Sequence, residues 1–112
     1  GLVVATGHLG SFELLLHAAA AHGHRTNVVA RPLKPRAMNE LIDNTRKRRG
    51  AKVYPRNGAF KHMLRCIQGG DDIAILFDQN VTRNHAVFIP FFGRLASTTR
   101  SVALTAIRTA TA

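Results

Sequence analysis

The chain has 112 residues, 46% of them apolar, which suits one packed domain and excludes a disordered chain. Sixteen Lys and Arg against six Asp and Glu give a net charge of +10, a surface that attracts nucleic acid, anionic membrane, or an acidic or phosphorylated partner. No run reaches the ~20 apolar residues of a membrane span, no signal-peptide pattern is present, and the single Cys66 forbids an internal disulfide and reads as a buried apolar residue.

Residues 2–6 read as a short buried strand with two adjacent valines. Ser11 is the expected N-cap of a helix on which Phe12, Leu15, Leu16, Ala19 and Ala20 recur at helical spacing, and Gly23 stops it. Residues 26–30 form a second strand. After Pro32 and Pro35, a helix over residues 36–48 is expected to turn Met38, Leu41 and Ile42 towards a core, and Gly50 ends it. "AKVYP" is a third strand, and "GAFKHMLRCIQGG" a helix with Phe60, Met63, Leu64 and Ile67 on one stripe. "GGDD" reads as a turn into a fourth strand, residues 73–77, apolar on both faces. "AVFIPFFG" is a fifth extended piece, and "STTRSVALTAIRTA" is expected to start a helix capped by Ser97, Thr98 or Thr99. Strands alternating with helices imply an α/β fold, a mostly parallel sheet flanked by helices. The abrupt start in a strand and the uncapped "TAIRTATA" at the end lead us to expect that residues 1–112 are a fragment of a larger domain.

In a parallel sheet every strand's carboxyl end points to one edge, where ligand sites of open α/β sheets lie. His8 follows the first strand, Arg31 the second, Arg56 the third, and Asp78 and Gln79 the fourth, so these residues should gather on one rim. Residues five apart on one helix are about 140° apart around its axis. His8 and Glu13 therefore meet only if His8 sits on the preceding loop and Glu13 in the first helical turn. Gly7 and Gly10 ease such a loop, and the helix dipole favours an ionised carboxylate there. Glu13 would then hold the imidazole's tautomer and leave the other ring nitrogen to take a proton from a hydroxyl. The plainer alternatives pair Glu13 with His17, four residues on, and pack His8 on Phe12.

"GHLGSFELL" resembles the His-x-x-x-x-Asp/Glu motif of glycerolipid-type acyltransferases, in the glutamate form of the bacterial lipid A (lauroyl/myristoyl) acyltransferase family. "VVARPLKPRAMNELIDNTRKRRG" is similar to that family's second block, and "ILFDQNVTRNHAVFIPFFGRLASTTRSVALTA" to its third. The three blocks stand in the family's order. Gly7 and Ser11-Phe12 replace the Asn and Asn-Trp that often flank the motif. The resemblance implies a glycerolipid acyltransferase-like domain, here without the family's N-terminal membrane anchor and C-terminal portion, acting at the cytoplasmic face of the inner membrane. It implies transfer of a fatty acyl group from a thioester, on acyl carrier protein or acyl-CoA, to a hydroxyl of a lipid A precursor or a lysolipid. His8 is then the candidate base and Glu13 its orienter, with no cofactor and no metal needed. Arg31 is the candidate for acceptor phosphate or carbonyl charge, its alternative being a solvated strand-end residue. Asp78 either orients Arg31 or caps the following loop, and Gln79 stands beside it.

Arg46, Lys47, Arg48 and Arg49 form a basic cluster suited to an acidic carrier protein or an anionic membrane surface, or else an ordinary solvated helix end. With one Tyr and no Trp, base-stacking surfaces are missing and no nucleic acid partner is expected. His17, His22 and His24 lack carboxylate or Cys neighbours at metal-ligand spacing. "FIPFFG" fits either an acyl-chain groove or plain core. Two rivals remain: an acyl-CoA-dependent lysophospholipid or glycolipid acyltransferase, and a basic nucleic-acid-binding α/β module in which His8 is incidental.

Overall fold

The computed structural model describes residues 1–110; Thr111 and Ala112, the end of the Thr/Ala-rich segment, lie outside the described residues. Four strands, β1 (Val3–Thr6), β2 (Thr26–Ala30), β3 (Val53–Pro55) and β4 (Asp72–Leu76), form one sheet in the order β1-β4-β2-β3. Every pairing in it is parallel. The helices α1 (Phe12–Ala21), α2 (Arg36–Arg48) and α3 (Ala59–Gln68) connect these strands in turn, so the expected α/β architecture with helices flanking a parallel sheet is present.

Strand side chains alternate between faces, and the two apolar clusters follow that period of two. Leu16 of α1 packs with Val28 and Ala74, joined by Val4 and Val53. On the other face, Met63 and Ile67 of α3 pack with Ile73, joined by Val3, Val29, Phe60 and Ile75. Adjacent residues such as Val3 and Val4 thus serve opposite layers, which is why these strands read as unbroken apolar runs.

Three expectations need correction. Leu15 of α1 is exposed. In α2, Met38 and Leu41 are exposed, and no residue of the helix is buried. Its half-buried stripe is Asn39, Ile42, Asp43 and Arg46, about 100° round from the apolar stripe, so α2 turns polar groups inward. Residues 97–99 do not open a helix. They end β6 (Arg94–Thr99), which pairs antiparallel with β5 (Ala86–Phe91) outside the main sheet. The helix α4 (Ser101–Thr109) follows and packs on α3 and β1. The "GGDD" turn also runs directly into β4, whose first residue is Asp72. Among the described residues, no helix is long and apolar enough to cross a membrane.

Candidate active site

The carboxyl edge of the sheet gathers the strand-end residues in an order set by the strand order. β1 and β4 are neighbours, so His8 and Asp78, 70 residues apart in sequence, meet. Asp78 Oδ2 accepts the backbone N–H of His8 at 2.7 Å, and Asp78 Oδ1 lies 2.8 Å from His8 Nδ1. The His8 ring also stands edge-on to Phe12, with centroids 5.3 Å apart. The imidazole and backbone hydrogen bonds from His8 hold the Asp78 carboxyl below its ordinary pKa. An ionised carboxylate only accepts, so Nδ1 carries the proton and donates it to Asp78. Nε2 is left as the open lone pair of a half-exposed ring.

Gly7 makes this approach possible. A Cβ there would stand 3.0 Å from Asp78 Oδ2 and 3.2 Å from its Cγ, closer than ordinary contact. The glycine serves the carboxylate's space, a use that sequence reading, which saw only an easy loop, did not find.

The carboxylate on His8 is therefore Asp78, where Glu13 was expected. Glu13 instead pairs with Arg46: Nε donates to Oε2 at 3.1 Å, and Nη2 donates to Oε1. Glu13 does lie in the first turn of α1, but Arg46 reaches it from the inward stripe of α2 and takes both oxygens. Arg46 is accordingly no part of an exposed cluster. Its side chain is 11% exposed and also reaches Asp43 Oδ1 at 3.4 Å. Lys47, Arg48 and Arg49 remain exposed at the end of α2. Each Asp78 oxygen is engaged by His8, and no hydrogen bond or ion pair joins Asp78 to Arg31 among the described residues. Gln79 is exposed beside it. Of the plainer alternatives, His8 does pack on Phe12, whereas Glu13 does not pair with His17.

Arg31 lies on the same edge, two strand spacings from His8, about 10 Å across the sheet. It lines an open hollow of about 190 Å³ with Asn39, Asp43, Lys47 and Tyr54. A second, more open hollow of about 510 Å³ adjoins it at Arg31, Arg56 and Asn57. A polar chain joins the two halves of the rim: Asn39 donates to Asp43 at 3.0 Å, and Arg46 links Asp43 to Glu13 on the helix that follows His8. Tyr54, hydrogen-bonded to Cys66 and partly buried, has its pKa pushed up to about 12, so it stays a neutral donor.

An open parallel sheet with its polar groups gathered at the strands' carboxyl ends is the layout in which α/β proteins bind and transform ligands. The family model of the bacterial lipid A biosynthesis acyltransferases matches residues 1–112, and the chain belongs to that acyltransferase family. No curated protein matches it.

Proposed function

We propose that this chain transfers a fatty acyl group from a thioester, carried by acyl carrier protein, to a hydroxyl of a lipid A precursor at the cytoplasmic face of the inner membrane. The observation that carries the reading is the His8–Asp78 pair, with Nδ1 engaged and Nε2 open at the functional edge of the sheet. His8 Nε2 takes the proton of the acceptor hydroxyl as its oxygen attacks the thioester carbonyl. The carbon–sulfur bond breaks as the tetrahedral species collapses, and the imidazolium returns the proton to the departing thiolate. The products are an ester and a free thiol. Asp78 positions the ring and balances the charge of the transient imidazolium. No protein nucleophile is required, because a thioester is already activated.

Arg31 is assigned to the acceptor. A guanidinium at a hollow about 10 Å from the base suits a phosphate on the same headgroup whose hydroxyl reacts. Glu13 and Arg46 support the rim by fixing α1 against α2. Lys47, Arg48 and Arg49 offer the acidic carrier an electrostatic landing surface.

The test is transfer of a radiolabelled acyl chain from carrier thioester to lipid A precursor by the full-length protein. His8→Ala should lower the rate about 10²–10⁴-fold with circular dichroism unchanged. Turnover near wild type by that variant rejects His8 as the base.

A further inference from the structure

The β5–β6 hairpin takes no part in the site above. Its base is anchored: Ser97 Oγ donates to the Val81 carbonyl at 2.7 Å, and Arg100 Nη2 to the Asn84 carbonyl at 3.1 Å. Its far end is bare. Phe91 is 63% exposed, Leu95 70% and Phe92 93%, and Val87, Phe88 and Ile89 behind them are exposed too. Neither strand joins the main sheet, so this apolar surface is an unburied two-stranded ribbon.

The tip carries a second oddity. Phe91 pairs with Arg94, which leaves Phe92 and Gly93 as a two-residue turn with φ of 47° and 75°. Turns with positive φ at both central residues favour Asn, Asp or Gly, and a bulky side chain is strained there. The one ring against Phe92 is its neighbour Phe91, edge-on at 4.8 Å. Strain with no packing in return is retained where the side chain works on something outside the fold.

Charge decides what that is. Residues 79–112 contain four arginines, Arg83, Arg94, Arg100 and Arg108, and no acidic residue. A second copy of this half would be repelled, whereas an anionic lipid surface offers phosphates to the arginines and a boundary for the aromatic rings. We propose that the β5–β6 hairpin is a membrane-interface wedge, inserting Phe91, Phe92 and Leu95 into an anionic bilayer with Arg94 at the headgroup phosphates. The proposal rests on the acyl-transfer reading only for the presence of a lipid acceptor. It gives the enzyme a way to meet that acceptor at the bilayer surface.

The chain has no tryptophan, so Phe92→Trp makes a single reporter. With phosphatidylglycerol/phosphatidylethanolamine vesicles, its emission should shift to the blue and be quenched by lipids brominated near the headgroup. Phe92→Asn suits the turn, so the fold and Tm should hold or improve while vesicle partitioning falls roughly tenfold or more. Leu95→Asp should act likewise. Unchanged tryptophan emission on vesicles that do bind the protein would overturn the wedge and leave binding to Lys47, Arg48 and Arg49. Wild-type partitioning by Phe92→Asn would overturn it too, as would a lipid-free dimer abolished by that substitution. No thioester or acceptor is present in this assay, so its failure leaves His8 untouched, and failure of the His8→Ala test leaves insertion standing.

Discussion

The two edges of the sheet carry nearly the same constellation in different surroundings. At the amino edge, His24 Nδ1 lies 2.8 Å from Asp72 Oδ2, and Asp72 Oδ1 accepts the backbone N–H of Leu2 at 2.7 Å. At the carboxyl edge, His8 Nδ1 lies 2.8 Å from Asp78 Oδ1, and Asp78 Oδ2 accepts the backbone N–H of His8 at 2.7 Å. His8 reaches the carboxyl end of β4 from the flank of β1, whereas His24 reaches its amino end from the flank of β2, with the Leu2 N–H coming from beside β1. The surroundings separate them. Asp72 is 11% exposed and stands beside a polar core in which buried Asn27 ties the Lys52 N–H to the Asp72 carbonyl. Asp78 is 39% exposed, and its histidine is 37% exposed. A His–Asp hydrogen bond is thus no mark of an active site in itself. The edge it occupies, and what its free nitrogen faces, decide its role.

The sharpest way to separate the pairs is to remove each carboxylate. Asp78→Asn should lower acyl transfer roughly tenfold to a hundredfold, less than loss of the His8 ring at about 10²–10⁴-fold, because the ring survives but its tautomer is no longer fixed. The melting temperature should barely move, since the pair is exposed. Normal turnover would show Asp78 to be dispensable. Asp72→Ala should do the reverse, costing about 1.5–3 kcal/mol in urea unfolding through lost charge-assisted hydrogen bonds, with kcat unchanged in the folded fraction.

Acid should reveal the same division in stability. Burial raises the Asp72 pKa, but the hydrogen bonds from His24 and the Leu2 N–H outweigh it and set the folded value below the ordinary 3.8. A depressed carboxyl contributes its stability above the ordinary value and loses it as pH falls through the folded one. Unfolding free energy should therefore drop below about pH 5 in the wild type. The drop should be shallower in Asp72→Ala, measured by denaturant melts between pH 3 and 7. Equal slopes would remove Asp72 from the acid response.

The smallest effect belongs to Gly7→Ala. The new methyl would press on the Asp78 carboxylate, which can give by a few tenths of an ångström. Transfer should fall about two- to fivefold, well short of losing the orienter outright. If Gly7→Ala costs nothing further when added to Asp78→Gly, the clash with the carboxylate is the cause.

The layers of the sheet were readable because apolar runs and glycine stops mark strands and helices locally, and the family blocks stand in order. The partners at the rim were not, because pairing depends on strand order. Glu13 and Asp78 are both acids on the same edge, and only the insertion of β4 between β1 and β2 brings Asp78 to His8. The phase of α2 was misread by one residue because its inward face is polar. An apolar stripe through Met38 and Leu41 draws the eye, while Asn39, Asp43 and Arg46 meet the rim. The hairpin was missed because "RLASTT" is small and polar enough to pass for a helix start. The signal available was Gly93 between two extended runs, followed by β-branched Thr98 and Thr99.

The strand order also has a consequence in time. Leu2 and His8 leave the ribosome 70 residues ahead of their partners Asp72 and Asp78. At 5–20 residues per second that is a wait of roughly 4–14 s, during which β1 lacks β4, the strand it pairs with, and the Leu16 cluster lacks Ala74. The candidate centre cannot exist in a nascent chain. It arises only when β4 threads into place between β1 and β2, so assembly of the centre coincides with closure of the sheet.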